Sequence, residues 1–406
     1  MKTRLTQNPA YYISHILFLS LFIWAGCTSN TETKEQEAEA ADPSAGNEIT
    51  QVQFKEVKTF TPENLNIPSF ASFDFDERGR MYIVSGHDIY VLNKEGELLK
   101  KLGGSGRGPG EFDAMGRLVP KLGTNKLYVY ADMLQGINTY DLNSFEFDNL
   151  ILLEPQQWSS IDGLEGTRFT RFYVVEDDVL LARFSNPITT QADENRSHYF
   201  ILMDGAGNIL SGELMKYPAT YVHDGQGLPA PIFVRGDNFP NGSTRSTVMH
   251  MSDKGNFYAV WNEELRIIKH TLPENTTDTL FYPITRASLD ESEIIETYRR
   301  SPGLYRAARQ ANYPETWPAV DQILTDSHEN IWVSTITEDS THYQWLVFDE
   351  ETKNPIGEFV WPGRRIERAV SEKSIQHIKD GYLYAFDQDS SSGGKVIKKY
   401  EITLNN

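Results

Sequence analysis

Cysteine occurs once in these 406 residues, at Cys27, so no internal disulfide can form and no thiolate cluster can hold zinc. Apolar runs are scarce as well. Apart from the segment ILFLSLFIWAGC at residues 16–27, no stretch approaches the 18 residues that suggest a bilayer-spanning helix. The nucleophile elbow G-x-S-x-G and the zinc motif H-E-x-x-H are both missing, which removes the commonest signatures of α/β-hydrolases and zinc proteases. Positive charge is in deficit: 38 Lys and Arg against 57 Asp and Glu leave a net charge of −19, which argues against nucleic acid as a partner.

Glycine is plentiful at one place, KKLGGSGRGPGEF at residues 100–112. A mononucleotide loop needs Lys followed by Ser or Thr after its last glycine, and here Glu111 and Phe112 follow Gly110. The dinucleotide spacing fails too, because its sixth position falls on Pro109 or Glu111. The run therefore reads as a chain crossing in which small residues permit positive φ and close backbone approach.

The N-terminal 27 residues carry Lys2 and Arg4 before the apolar run and close on Ala25-Gly26-Cys27, which reads as an export signal. Cys27 after two small residues resembles a bacterial lipobox, which implies that Cys27 is lipidated; Trp24 stands where lipoboxes usually carry Leu. Residues 28–50 hold six carboxylates, one lysine and no aromatic, a composition suited to a solvated tether. Residues 51–406 show no linker-like shift in composition and read as one domain.

Within that domain six short apolar runs recur after turns rich in Asp, Asn or Gly: DERGRMYIV, GTNKLYVY, VEDDVLLA, SDKGNFYAV, DSHENIWV and IKDGYLYAF. Five are followed by a further strand, a turn and another strand, so the repeat is a four-stranded antiparallel unit. The sixth unit ends one strand short at KVIKKYEITLNN, and ITQVQFKEVKTF ahead of the first can supply that strand. The expectation is an all-β, six-bladed β-propeller with its two ends tied together. The run GGSGRGPGEF, with FDFDERGRMYIV before it, resembles the six-bladed NHL-like propellers, and more specifically the propeller lipoproteins of Gram-negative bacteria. That resemblance implies a fold more firmly than an activity.

The links between units, taken as 103–117, 154–171, 217–247, 283–319 and 362–372, hold 14 of the 20 arginines and none of the 18 lysines. Arginine without lysine points to bidentate or stacked recognition, or to local ion pairs with the 14 carboxylates of the same segments. The 283–319 link contains SLDESEIIETYRR, where Ser288 and Glu291 form a capping box for a helix running to Arg300 and breaking near Pro302. This is a helical insertion between blades four and five. Trp317, Tyr305 and Tyr313 are its aromatic candidates.

The candidate ligand-binding residues are Arg117, Arg171, Arg245, His250 and Trp317, near the start of inner strands. Asp74, His250 and Gln376 are expected at matching inner-strand positions. Asp74 and His250 are the candidate ligands should a divalent cation be present, as the resemblance implies for propeller lyases and lactonases. The expected function is non-catalytic recognition of an anionic small molecule, glycan or peptide, or of an envelope protein, by a protein held to the outer membrane through Cys27. A metal-assisted lyase or hydrolase and an assembly scaffold are the alternatives.

Overall fold

The computed structural model describes residues 49–106, 108–112, 118–131, 136–187, 196–220, 245–300, 302–311, 313–365, 374–390 and 393–404. Cys27, the rest of the signal, tether residues 28–48 and Arg117 lie outside them.

Alternation of apolar and polar residues, broken by Asp- and Gly-bearing turns, yields short strands that pair with their sequence neighbours. Four of the blades are separate four-stranded antiparallel sheets. Blade one comprises β2 (Ser72–Phe75), β3 (Met81–Ser85), β4 (Asp88–Leu92) and β5 (Leu98–Gly103). Blade two comprises β6 (Leu118–Leu122), β7 (Lys126–Ala131), β8 (Gly136–Asp141) and β9 (Phe147–Leu152). Blade three comprises β10 (Arg168–Glu176), β11 (Val179–Ser185), β12 (Ser197–Asp204) and β13 (Met215–Pro218), and blade four β14 (Thr247–Met251), β15 (Asn256–Trp261), β16 (Leu265–Thr271) and β17 (Thr276–Tyr282). Blade five runs through β18 (Val320–Thr325), β19 (Ile331–Ile336), β20 (His342–Phe348) and β21 (Pro355–Pro362).

Blade six has only β22 (Ile375–Lys379), β23 (Tyr382–Gln388) and β24 (Lys395–Leu404) from its own stretch. Its outer strand is β1 (Thr50–Phe60), which pairs antiparallel with β24 from Val52↔Leu404 to Phe60↔Ile397. The first residues of β1 also pair in parallel with β21, at Thr50↔Gly357 and Gln51↔Glu358, so blades five and six form one eight-stranded sheet. The ring closes from blade six to blade one, where His377 Nε2 donates to the Phe73 carbonyl at 2.8 Å and Phe75 packs on Tyr384 at 4.4 Å.

Buried aromatic and branched side chains lie between adjacent blades, with Tyr82, Tyr128 and Tyr258 at the same second-strand position of three repeats and all fully buried. Their hydroxyls are satisfied around the first hairpin turns. Tyr82 donates to Asp76, Tyr128 accepts from the Asp178 amide, and Tyr258 donates to Glu329 of the next blade. Glu329 stands at φ 69°, where the equivalent turns of blades one and four carry Gly79 and Gly255. Its carboxylate also accepts from Asn256 at 2.9 Å, so its local strain is tied to an inter-blade contact.

The glycine run is the crossing from blade one to blade two. Gly103 has φ 84°, and a Cβ there would lie 2.6 Å from both the His87 carbonyl and the Phe112 ring, which is fully buried. Glu111 accepts from the Gly108 amide at 2.8 Å. The loop is thus closed on its own carboxylate.

The insertion between blades four and five forms two helices, α2 (Glu291–Thr297) and α3 (Pro302–Ala308). The cap of α2 is Asp290, which accepts from the Ser292 amide at 2.9 Å; the expected cap, Ser288, is instead in a short bridge with Thr316. Pro302 opens α3, since proline's missing N–H costs nothing at a first helical position. No helix among the described residues is long and apolar enough to cross a membrane.

Candidate functional site

The inner strands of all six blades line a central cavity of about 410 Å³. Register identifies which side chains share a level. The second strands carry the recurrent apolar-aromatic pattern, and the residues opposite its second position are Asp74, Lys121, Tyr173, His250, Leu324 and His377. One tier of the channel therefore holds an acid, an amine, a phenol and two imidazoles.

Asp74 and His250 share this tier as expected, but Gln376 does not. An irregularity between Ile375 and His377 puts the histidine opposite Tyr384 and leaves Gln376 outside the pairing. A single extra residue in a short strand changes which side chain sits at the shared level, and that cannot be read from spacing; Gln376 still lines the cavity. Lys121 and Tyr173 were not among the expected residues: β6 follows directly on one expected link, and β10 begins inside another.

Blades one and four oppose each other across a six-membered ring, so Asp74 and His250 face one another over the channel instead of sharing one site. Asp74 lies 3.7 Å from His377 Nδ1. His250 Nε2 accepts from the Thr325 amide at 3.2 Å and lies 2.9 Å from the Thr325 hydroxyl. The neutral ring thus keeps its proton on Nδ1. Among the described residues no three His, Cys, Asp or Glu side chains come together as a metal-binding group.

Desolvation pushes His250 down to about 3, with Lys121 and His377 adding to the shift and Asp253 opposing it. The ordinary value is 6.5. Between those values the unfolded chain binds a proton that the folded ring refuses, so acidification below pH 6.5 should lower stability by up to about 1.4 kcal/mol per pH unit, with no effect above it. His250→Gln should flatten that acid limb. Urea unfolding at pH 7.5 and pH 5 checks this; an equal loss in variant and wild type would exclude His250 as its source.

Lys121 poses a different problem. Among the described residues no carboxylate lies within ion-pair distance of its ammonium, whereas Lys379, lower on the wall, pairs with Asp253 at 2.6 Å. Desolvation pushes the Lys121 pKa down, and Arg171 adds to the fall, while Asp74 and Asp253 act against it. For Lys379 burial acts in the same sense but Asp253 outweighs it, and the pKa rises.

Arg171 lies within β10, so its strand begins earlier than the expected link allowed. It is paired in register with Arg183 of β11, and its guanidinium sits 5.8 Å from the Tyr173 ring. Arg183 is buried and donates through Nε to Thr170 at 3.1 Å. Like charges directly opposite in an antiparallel pair repel. With Lys121 on the next blade, the wall of blades two and three gathers three cations in a protein of net charge −19.

The other expected residues separate from this site. Arg245 pairs with Glu263 at 2.5 Å, a carboxylate shared with Arg286 at 3.4 Å. Trp317 is fully buried in the core between the insertion and blades five and six, under the guanidinium of Arg365 at 5.0 Å, and offers a ligand no surface. Arg365 itself grips Glu293 of α2 with two hydrogen bonds, 2.7 and 3.1 Å, and donates to the Thr337 carbonyl. Arg168, Arg299, Arg300, Arg306 and Arg309 are exposed and spread over the surface. The arginine bias of the links thus resolves into ion pairs and exposed side chains, with Arg171 alone of the described set lining the channel.

Residues 56–223 match a family described as 6-bladed beta-propeller. The chain is a six-bladed β-propeller. No curated protein matches it. Among solved structures, a candidate exported protein from Bacteroides fragilis NCTC 9343 is 13% identical, covering 91% of this chain and 98% of its own, with a TM-score of 0.49. Regucalcin from Agrobacterium tumefaciens, a calcium-binding protein, is 11% identical over 85% of this chain and 95% of its own, at 0.40. Virginiamycin B lyase from Staphylococcus aureus is 9% identical over 87% and 100%, at 0.39. None of the three bears on this chain's chemistry.

Proposed function

We propose that the propeller is an envelope lipoprotein, anchored through Cys27, whose central channel binds a small polar ligand bearing a carboxylate. The observation that carries this reading is the Lys121 ammonium, set into the channel wall without an ion-pair partner among the described residues and beside Arg171 and Arg183. A buried cation without a counter-ion is costly, and an anion is the group that relieves the cost. Arg171 adds a planar donor fork suited to carboxylate. Asp74, across from the neutral His250, supplies an acceptor for a hydroxyl or amine on the same ligand.

Titration calorimetry of the full chain against hydroxy acids, uronates and short acidic peptides tests the channel. Lys121→Met and Arg171→Gln should each weaken binding by at least about tenfold, the loss of one charge-assisted hydrogen bond. Lys121→Met should at the same time raise stability by about 1 kcal/mol, because it removes a charge from a site that does not solvate it. Arg168→Gln, at an exposed side chain, should change neither. Unchanged affinity in both channel variants would end this reading. For the anchor, palmitate should label wild type and not Cys27→Ser.

A further inference from the structure

We propose that Lys121 captures a small oxo acid in the channel as a reversible imine, with Arg171 holding the acid's carboxylate. This rests on the carboxylate-binding reading of the same channel and extends it from holding a ligand to bonding with it.

Three features of the channel support this chemistry. The first is the state of the amine. Several other lysines of the propeller are held by carboxylates: Lys126 by Asp148 and Asp178, Lys269 by Glu350, Lys398 by Glu56 and Asp387. Such pairing keeps the proton on nitrogen and the lone pair unusable. Lys121 has no such partner among the described residues, and burial, helped by Arg171, favours its neutral form against the opposing pull of Asp74 and Asp253.

The second is the flanking groups. Asp74 and Tyr173 occupy the same tier on the two adjoining blades, and Asp74 is backed in turn by His377 at 3.7 Å. A carboxylate on the same tier as the amine is the group that relays protons between nitrogen and oxygen within the channel. The third is the anion subsite. Arg171 is two residues above Tyr173 on its strand, about 6.6 Å up the wall, on the blade next to Lys121. The cavity of about 410 Å³ admits a small acid to both.

In the reaction the Lys121 Nζ lone pair attacks the carbonyl carbon and forms a C–N bond while the C=O π pair moves to oxygen. The two protons leaving nitrogen are passed through Asp74 to that oxygen, the C–O bond breaks, and water departs as the C=N bond forms. Nothing is oxidised or reduced.

The test is to incubate the full chain with glyoxylate and cyanoborohydride at neutral pH, which reduces any imine to a stable secondary amine, and to map modified lysines by mass spectrometry over time. Lys121 should be labelled about tenfold faster than exposed lysines such as Lys94, because a desolvated amine keeps a larger share of its nitrogen unprotonated. Arg171→Gln should remove most of that advantage, and Lys121→Arg should abolish the fast phase and leave the slow labelling intact. Labelling of wild-type Lys121 at the rate of Lys94 would overturn the proposal, whatever the variants do. Glycolate, which has the carboxylate but no carbonyl, separates the two ideas. If glycolate raises the melting temperature of wild type but not of Arg171→Gln, and Lys121 shows no fast labelling, the imine falls and carboxylate binding stands. If neither acid acts at the channel, both fall.

Discussion

Residues 61–406, expressed without β1, should aggregate instead of forming a closed ring. β1 is the outer strand of blade six, and without it β24 presents a full row of unpaired backbone groups, the arrangement most prone to edge-to-edge association. The loss reaches the core as well. Val52 and Phe60 are buried, and Phe54 packs edge-on against Phe359 at 4.7 Å and Trp361 at 5.4 Å, so the strand seals both the five–six and the six–one blade contacts. Each of the two buried side chains contributes about 1.5–3 kcal/mol, against a total stability of about 5–15 kcal/mol for a native domain. Size-exclusion chromatography and near-ultraviolet circular dichroism of the truncated and full chains decide the matter. A monomeric truncated chain with native aromatic signals would show that closure does not depend on β1.

Trp317→Ala should cost about 3–5 kcal/mol, the range for emptying a buried indole site. The side chain has no exposed surface, and its ring carries the Arg365 guanidinium, which in turn holds Glu293 and the start of α2. Removing it therefore loosens the helical insertion as well as leaving a cavity. Urea unfolding should show the fall in midpoint, while carboxylate affinity of the folded variant should match wild type, because Trp317 does not line the channel. A drop in affinity with unchanged stability would be the signature of a ligand platform and would reverse this assignment. Trp317→Phe, which keeps most of the ring, should recover much of the loss.

The repeat was legible because every blade reuses the same local instructions. An apolar-aromatic second strand after a polar turn forces antiparallel pairing, and the short last unit together with the strand-like segment at residues 50–60 foretells the closure that β1 and β24 make. The glycine run was legible for a similar reason: Gly103 needs its positive φ and its missing Cβ, and both are local. The helix cap was misread because Ser288 and Asp290 are both good caps, and the bridge of Ser288 with Thr316 decided between them.

The site was read less well. Asp74 and His250 could be placed because their turns have the same length, so counting back from each turn lands on the same level. Blade six has a two-residue turn and an irregular inner strand, which moved His377 to the position expected of Gln376. Lys121 follows a proline in a strand of only five residues and carries no motif at all. Arginine frequency pointed to the links, but a guanidinium that meets Glu263 or Glu293 has the same sequence signature as one that meets a ligand.

Composition and periodicity by themselves determined that this chain is an all-β ring of six four-stranded units, since strand pairing depends on neighbours a few residues apart. Only the tertiary structure decided which side chains face the axis. Residues from six blades, spread from Asp74 to His377, meet there through register and bulges, and a one-residue shift in any blade replaces one side chain of the tier with another.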